Sequence, residues 1–506
     1  MERKRWKRLL LVVVTAALGF ISIGTWAIAS PVGAAPDDDF HMASIWCSLG
    51  ERQGLCGLGE AENERIVSER FSMSPYCFAG MPEESAACEV DDEAMVPTTR
   101  GNFAGNYPPV FYAVMGVFAG PDIAVSTIVM RVFNAGILVG AITAVLALLR
   151  RGERGPLIWS AVVTMVPLGM FIVPSVNPSS WAVISGLVVW IATYGFFSAE
   201  GRGRRIALAA IAIVLAVMGA GARGDSAVYV GFAALAAMIL SFQKSRAWLK
   251  LALLPSGLIA IGIAFFLSAR QSTGAAGVGI ALDSSVVSDP TAASPLSDLL
   301  VNLIYLPWLW TGGTGTWGLG WIDTPVPPTV WVAMLGVLVG LVFWGLRIMS
   351  RRKGTVLVLA LLGLTLIPLY VLYGLEARVG SEIQPRYLLP LLIVFVGVAA
   401  FGFAHDHLGL SRLQAGVLLA AVAIANALSL HNNMRRYISG IGDSSFNLNA
   451  NIEWWWEMPV QPMTVWFVGS AAFLLMMVGL FIQLYPKGER PRAPLDERAP
   501  VPGVAP

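Results

Sequence analysis

The sequence predicts an all-α polytopic membrane protein with about twelve transmembrane helices. Three observations lead there. Of 506 residues, 56% are hydrophobic and only 13% are charged, against roughly a quarter charged in a typical soluble domain. Apolar runs of about twenty residues, enough to cross a bilayer as a helix, recur from end to end. Basic clusters fall at alternate ends of those runs, as the positive-inside bias requires. The net charge of +2 says little about partners, and no nucleic-acid partner is expected.

The first expected span is 9–29. Met1–Arg8 is basic and Leu9–Ala29 is apolar. A secretory signal would be cut near Ala27-Ile28-Ala29 or Val32-Gly33-Ala34, but the stretch exceeds a usual signal core, so an uncleaved helix is expected. The spans that follow are 122–149, 156–173, 179–197, 205–221, 226–241, 248–267, 328–347, 354–374, 386–404, 411–429 and 463–484. With the N-terminus inside, the turns Arg150–Arg154, Arg202–Arg205, Lys244–Arg246 and Arg347–Lys353 all become cytoplasmic, as does the Lys487–Arg492 tail. The His405-Asp406-His407 turn is the exception, helped only by Arg412. Residues 1–485 form the expected membrane domain. Residues 486–506, Pro-rich and charged, read as a disordered cytoplasmic tail.

Three external segments are long: 30–121, 268–327 and 430–462. Cys47, Cys56, Cys77 and Cys88, the only cysteines, all lie in the first. An even count confined to one external loop suggests two disulfides in any of three pairings. No internal repeat is evident, which weakens an inverted-repeat transporter reading.

Unusual polar residues gather on the same side. The acidic run Pro36-Asp37-Asp38-Asp39-Phe40-His41 directly follows the first span. Acids suit a helix N-terminus, but three adjacent carboxylates repel one another and persist most easily when a cation or metal uses them. The run reads as a site, with Asp38 and Asp39 as candidate metal ligands, and His41, three or four residues beyond Asp37 and Asp38, shares a helical face with them. Asn106-Tyr107-Pro108-Pro109 suits a site or a helix start, and Asn177-Pro178-Ser179-Ser180 a turn with an N-cap. Trp454–Trp456 reads as an aromatic belt. Trp317 and Trp321, between glycines and beside Asp323, read as a pocket wall. Arg223, Arg378 and Arg386, followed by Tyr387, lie beside spans, where arginine either snorkels to headgroups or holds a lipid-linked phosphate. Arg131 lies inside the second span and is costly unless it faces protein or water; a carboxylate partner near the outer surface is expected.

In this order the motifs resemble a bacterial family of integral membrane proteins catalogued as a domain of unknown function, DUF2142, which is similar to the GT-C glycosyltransferases. The family pattern Pro-Asp-Glu-x-x-His is met by Pro36, Asp37 and His41, with Asp38 in the glutamate position. Tyr107-Pro108-Pro109, Arg131-Val132-Phe133-Asn134, Asn177-Pro178, Gly320–Pro325 and Arg386–Pro390 look like its later signatures, and the resemblance runs from about residue 10 to 430. The resemblance implies a GT-C-like fold in a bacterial plasma membrane, with both termini cytoplasmic. It implies transfer of a sugar from a polyprenyl-phosphate donor to an envelope glycan or glycolipid acceptor. Asp37 or Asp38 would serve as base or, with Asp39, hold Mg²⁺ or Mn²⁺. His41, Tyr107, Arg223, Trp317, Trp321, Asp323, Arg378, Arg386 and Tyr387 would line the substrate site, and membrane lipids would surround the spans. Rival readings are a lipid-linked polysaccharide polymerase or flippase and a non-catalytic envelope assembly protein. A flippase needs charge deep in several spans, and apart from Arg131 the spans are clean.

Overall fold

The computed structural model describes residues 2–73, 75–88, 94–269 and 295–486. The tail 487–506 and the Ser/Ala/Gly-rich stretch 270–294 lie outside the described residues. What is described is an all-α polytopic membrane protein. Among the described residues eleven helices are long and apolar enough to cross a bilayer, and Pro385–Ala399 is a shorter apolar helix. Together they fall on all twelve expected segments.

Helix α1 (Glu2–Ala27) leads into α2 (Asp38–Cys47), which lies beyond the first span. A three-stranded antiparallel sheet follows: β1 (Gly57–Leu58), β2 (Arg65–Ser68) and β3 (Met95–Thr98), with Gly57 opposite Ile66 and Arg65 opposite Thr98. The sequence reading contained no strands, because these are short and unmarked by alternation over four or more residues. Short helices α3 (Glu69–Met73) and α4 (Val110–Gly116) complete the segment. Disulfides join Cys47 to Cys56 and Cys77 to Cys88. The first ties the end of α2 to the sheet. The second closes a loop that Arg436 grips through the Phe78 and Glu84 carbonyls.

The bundle continues with α5 (Ile123–Leu148), α6 (Gly155–Thr164) and α7 (Met170–Ile172), then α8 (Ser179–Ser198), α9 (Arg202–Ala220) and α10 (Gly224–Ser241). A π-turn at Met165–Gly169 interrupts the span shared by α6 and α7. That span and α8 are the most enclosed, and both read as apolar nearly all round, as buried helices do. Next come α11 (Arg246–Leu251), α12 (Leu253–Ser268), α13 (Pro295–Thr311), α14 (Pro328–Gly345), α15 (Arg351–Gly374), α16 (Pro385–Ala399), α17 (Arg412–Ile438) and α18 (Pro462–Leu484). Helix α8 packs on α9, α10 and α16, while α1 packs on α18 and α5. Helix α13 falls within the expected loop 268–327. It is amphipathic: Leu306 and Leu309 are buried, whereas Leu300, Ile304 and Trp308 form an exposed apolar face.

Two ends of the bundle emerge from these contacts. At one, the basic turns pack together. Lys353 donates to the carbonyls of Gly345, Ile348 and Phe401 at 2.8–2.9 Å and so caps α14. Asp406, in the turn that lacked basic residues, accepts from Gly152 N–H at 2.8 Å, and its carbonyl accepts from Trp159. At the other end, α2, the sheet, the disulfides and the turns at 175–180, 221–225, 312–325 and 376–387 converge.

Arg131 is held at this second end. Its guanidinium donates to the carbonyls of Ala27, Ser30 and Pro31 at 2.6–3.1 Å. The expected carboxylate is Asp38, whose charge Arg131 faces, while the hydrogen bonds of Arg131 go to the carbonyls at and just beyond the end of α1, which need donors once the helix stops. Asn134, one turn later, donates to Ser175 and accepts from Trp181. The Arg-Val-Phe-Asn motif thus clamps two chain reversals on either side of α5.

Candidate functional site

The acidic run does not behave as three equal carboxylates. Asp37 is the N-cap of α2 and adopts the left-handed conformation, φ 61° and ψ 19°. Aspartate and asparagine are the side-chain-bearing residues that tolerate it best. The conformation is fixed from outside: the Pro36 carbonyl accepts from Asn177 at 2.7 Å and from Arg386 at 3.3 Å. Asn177 also caps Ser179 N–H at 2.9 Å, so the Asn-Pro-Ser-Ser turn both starts α8 and holds the acidic run.

From that position the Asp37 carboxylate reaches Arg386 at 2.5 Å and Arg100 at 3.4 Å. It keeps about a third of its surface exposed, whereas Arg386 is 2% exposed. Burial raises the Asp37 carboxyl, but the charge and hydrogen bond of Arg386, with Arg100, outweigh it and leave it below the usual carboxylate range. Asp38 is fully buried. One oxygen accepts from Ala35 N–H at 3.0 Å, and the other has no protein partner. Burial, reinforced by Asp39, pushes its carboxyl up to about 7 against Arg131, Ala35 and Arg386. Asp39 gives both oxygens to Arg100 in a fork. His41 is buried against Tyr107 and Tyr112, with Nδ1 2.9 Å from the Tyr112 hydroxyl. Burial and the nearby arginines outweigh the attraction of Asp37 and bring its imidazole down to about 3, so it is neutral.

A second buried arginine completes the cluster. Arg223 pairs with Asp225 through two bonds of 2.9 Å. Its guanidinium lies 4.5 Å from the Tyr387 ring centre and 5.8 Å from that of Tyr107, within cation–π range. Arg386 donates to the Tyr387 hydroxyl at 3.0 Å. Tyr107 is held by Asn102, which brackets its backbone N–H and carbonyl. Burial raises the Tyr107 hydroxyl well above its ordinary value. Asp37, Asp39 and Asp225 balance Arg100, Arg223 and Arg386.

Beside Arg386 a narrow cleft of about 20 Å³ is lined by Pro36, Trp317, Gly318, Gly320, Gln384 and Pro385. That is the space of a single water. A wider concavity of about 410 Å³ lies near the basic end, along Arg202, Arg205, Ile206 and Ile213 of α9. It is shallow and almost wholly apolar, and the cluster described here is elsewhere.

The structure therefore brings together Asp37, Asp38, Asp39, His41, Tyr107, Arg223, Arg386 and Tyr387, with Trp317 on the cleft wall. Others of the expected set lie apart. Asp323 accepts from Arg436 at 2.8 Å and from Gly80 N–H at 3.1 Å and so holds the second disulfide loop on α17, while Trp321 donates to the Gly33 carbonyl. Arg378 pairs with Asp298 of α13 at 2.7 Å. Trp456 donates to the Ile28 carbonyl and Trp455 to that of Val460. Sequence reasoning missed Arg100, Asp225 as a partner and Tyr112. Three adjacent carboxylates demand cations, which is a signal for Arg100, but no spacing ties residue 100 to residue 39. The donor set does not fit a divalent ion: Asp37 and Asp39 are turned to arginines and Asp38 to a backbone amide. Among the described residues no group of three His, Cys, Asp or Glu is arranged to hold a metal.

These features define a polytopic α-helical membrane protein that concentrates buried, paired charge at one end of its bundle. The chain belongs to the family of predicted membrane proteins DUF2142, whose model matches residues 20–395. No curated protein matches the sequence.

Proposed function

We propose that the protein is a membrane glycosyltransferase of GT-C type. It moves a sugar from a polyprenyl-phosphate donor to an envelope glycan or glycolipid acceptor. The reaction runs at the outer face of a bacterial plasma membrane, with both chain termini cytoplasmic. The observation that carries the reading is the Asp37–Arg386 pair, a partly exposed carboxylate on a buried guanidinium, with Tyr387 against both Arg386 and Arg223 and a narrow cleft lined by Trp317 beside Arg386. The position of the basic turns at the opposite end supports an external site.

In this reading Asp37 accepts the proton of an acceptor hydroxyl. The freed oxygen forms a bond to the sugar's anomeric carbon as the bond from that carbon to the phosphate oxygen breaks. The electron pair leaves with the polyprenyl phosphate, and Arg386 and Arg223 stabilise its charge. Aromatic faces hold the sugar, and the spans offer an apolar surface to the prenyl tail.

Deleting the gene and restoring it with wild type or Asp37→Asn tests the reading, with lipid-linked sugars and envelope glycans analysed together. A polyprenyl-phosphate sugar that accumulates in the deletion and in D37N supports it. Full restoration by D37N at wild-type expression would sink it and favour an assembly role for the disulfide-bearing loop.

A further inference from the structure

Arg386 is a surplus donor held in a closed site. Its guanidinium makes three contacts, to the Pro36 carbonyl, the Asp37 carboxylate and the Tyr387 hydroxyl, and its Nε has no protein partner although the side chain is buried. Two of those contacts are neutral and fixed by the fold. The third is an anion at hydrogen-bond distance, on the partly exposed residue of the group. The adjoining cleft holds about one water, so a phosphate can meet Arg386 only if a resident group gives way.

We propose that the Asp37 carboxylate is an internal occupant of the anion site at Arg386, and that the anionic phosphodiester of the donor, and after transfer the monoester of the released polyprenyl phosphate, displaces it. This rests on Arg386 as the phosphate holder proposed above. Displacement leaves Asp37 a second partner, since Arg100 already contacts its other oxygen at 3.4 Å and is itself half exposed. The Arg386 charge passes from one anion to another, so the buried guanidinium is never left uncompensated. The exchange couples the two halves of the reaction. While Arg386 holds Asp37, the carboxylate is a weak proton acceptor. Once phosphate takes Arg386, Asp37 loses its strongest counter-charge and its affinity for a proton rises. The base is therefore armed by the arrival of the donor.

The test is a binding measurement on the purified full-length protein in lipid nanodiscs, with undecaprenyl monophosphate as the probe and undecaprenol, which lacks the phosphate, as the control. Asparagine tolerates the left-handed backbone, so D37N retains the shape and removes the competing charge. D37N is expected to bind the monophosphate about tenfold more tightly than wild type, with no gain for undecaprenol. The gain should vanish in the double variant D37N/R386Q. If D37N aggregates, D37S is read in the same way. Equal affinity of D37N and wild type, with R386Q weakening both, overturns the displacement and leaves the phosphate site standing. An R386Q protein that binds as well as wild type overturns both. A gain of equal size for undecaprenol also overturns the displacement.

Discussion

The two ends of the bundle handle charge in opposite ways. At the basic end most arginines are exposed, such as Arg202 and Arg204, and Lys353 is a buried exception that caps a helix. At the disulfide-bearing end Arg131, Arg223, Arg386, Arg436, Asp38, Asp39, Asp225 and Asp323 are all at most 8% exposed. Burying an ion costs several kcal/mol before any pairing offsets it. Exposed basic residues need no such compensation, and they suit the role of orienting the chain in the membrane. The difference gathers the buried ion pairs at one end, and within that end it separates two kinds of arginine. Arg131 and Arg436 fasten segments together, whereas Arg386 meets a carboxylate, Asp37, that is a third exposed.

The largest expected effect breaks the comparison at its sharpest point. Asp37→Asn should lower sugar transfer by about 10²–10⁴-fold, the usual range for removing a positioned base, while size-exclusion elution stays at wild type and the melting temperature falls, because buried Arg386 loses its counter-charge. Next is Arg131→Met, which strands the Ala27, Ser30 and Pro31 carbonyls. At about 1–3 kcal/mol for each unpaired group, it should destabilise the fold by about 3 kcal/mol or more. Arg204→Ala at the basic end should stay within about 0.5 kcal/mol in the same unfolding assay. Similar losses from both would erase the distinction between the ends.

A pH experiment sharpens it. Asp38 titrates higher folded than unfolded, from 3.8 to about 7, so its contribution to stability is present at low pH and is lost as pH rises through that window. His41 titrates lower folded, from 6.5 to about 3, so its contribution is present above 6.5 and is lost as pH falls. Between about pH 4 and 6.5 the two oppose each other. Asp38→Asn removes the first slope, so the variant should lose melting temperature on acidification from pH 6.5 to 4.5 more steeply than wild type. A shallower loss would contradict this balance. The smallest effect belongs to Arg378→Ala. Its exposed pair with Asp298 is worth about 1 kcal/mol or less, and transfer should stay within a few-fold of wild type. A large loss of transfer would return Arg378 to the site.

Much of this was legible in the sequence, and the limits have physical causes. Helical spans announce themselves, because every backbone group in a bilayer must be satisfied locally and the length is set by the membrane. The acidic run stood out because consecutive carboxylates need a reason to exist. Arg386 and Tyr387 were visible as polar residues opening a span. Pairing was not visible. Asp37 meets Arg386 across 349 positions and Asp39 meets Arg100 across 61, and no local rule links such distances. Trp321 and Asp323 looked like a pocket wall because glycines flank them, yet Gly318 and Gly320, at φ 83° and 59°, serve a tight turn that docks on Tyr437 and Arg436. Helix α13 escaped notice because its apolar residues follow a Ser/Ala/Gly-rich stretch and contain Pro307.

The most direct test of the central claim is the lipid-linked sugar pool in a deletion strain carrying Asp37→Asn at wild-type expression. The account predicts that a polyprenyl-phosphate sugar accumulates as it does without the gene, while the protein remains folded in the membrane. A wild-type pool together with wild-type envelope glycans would contradict it.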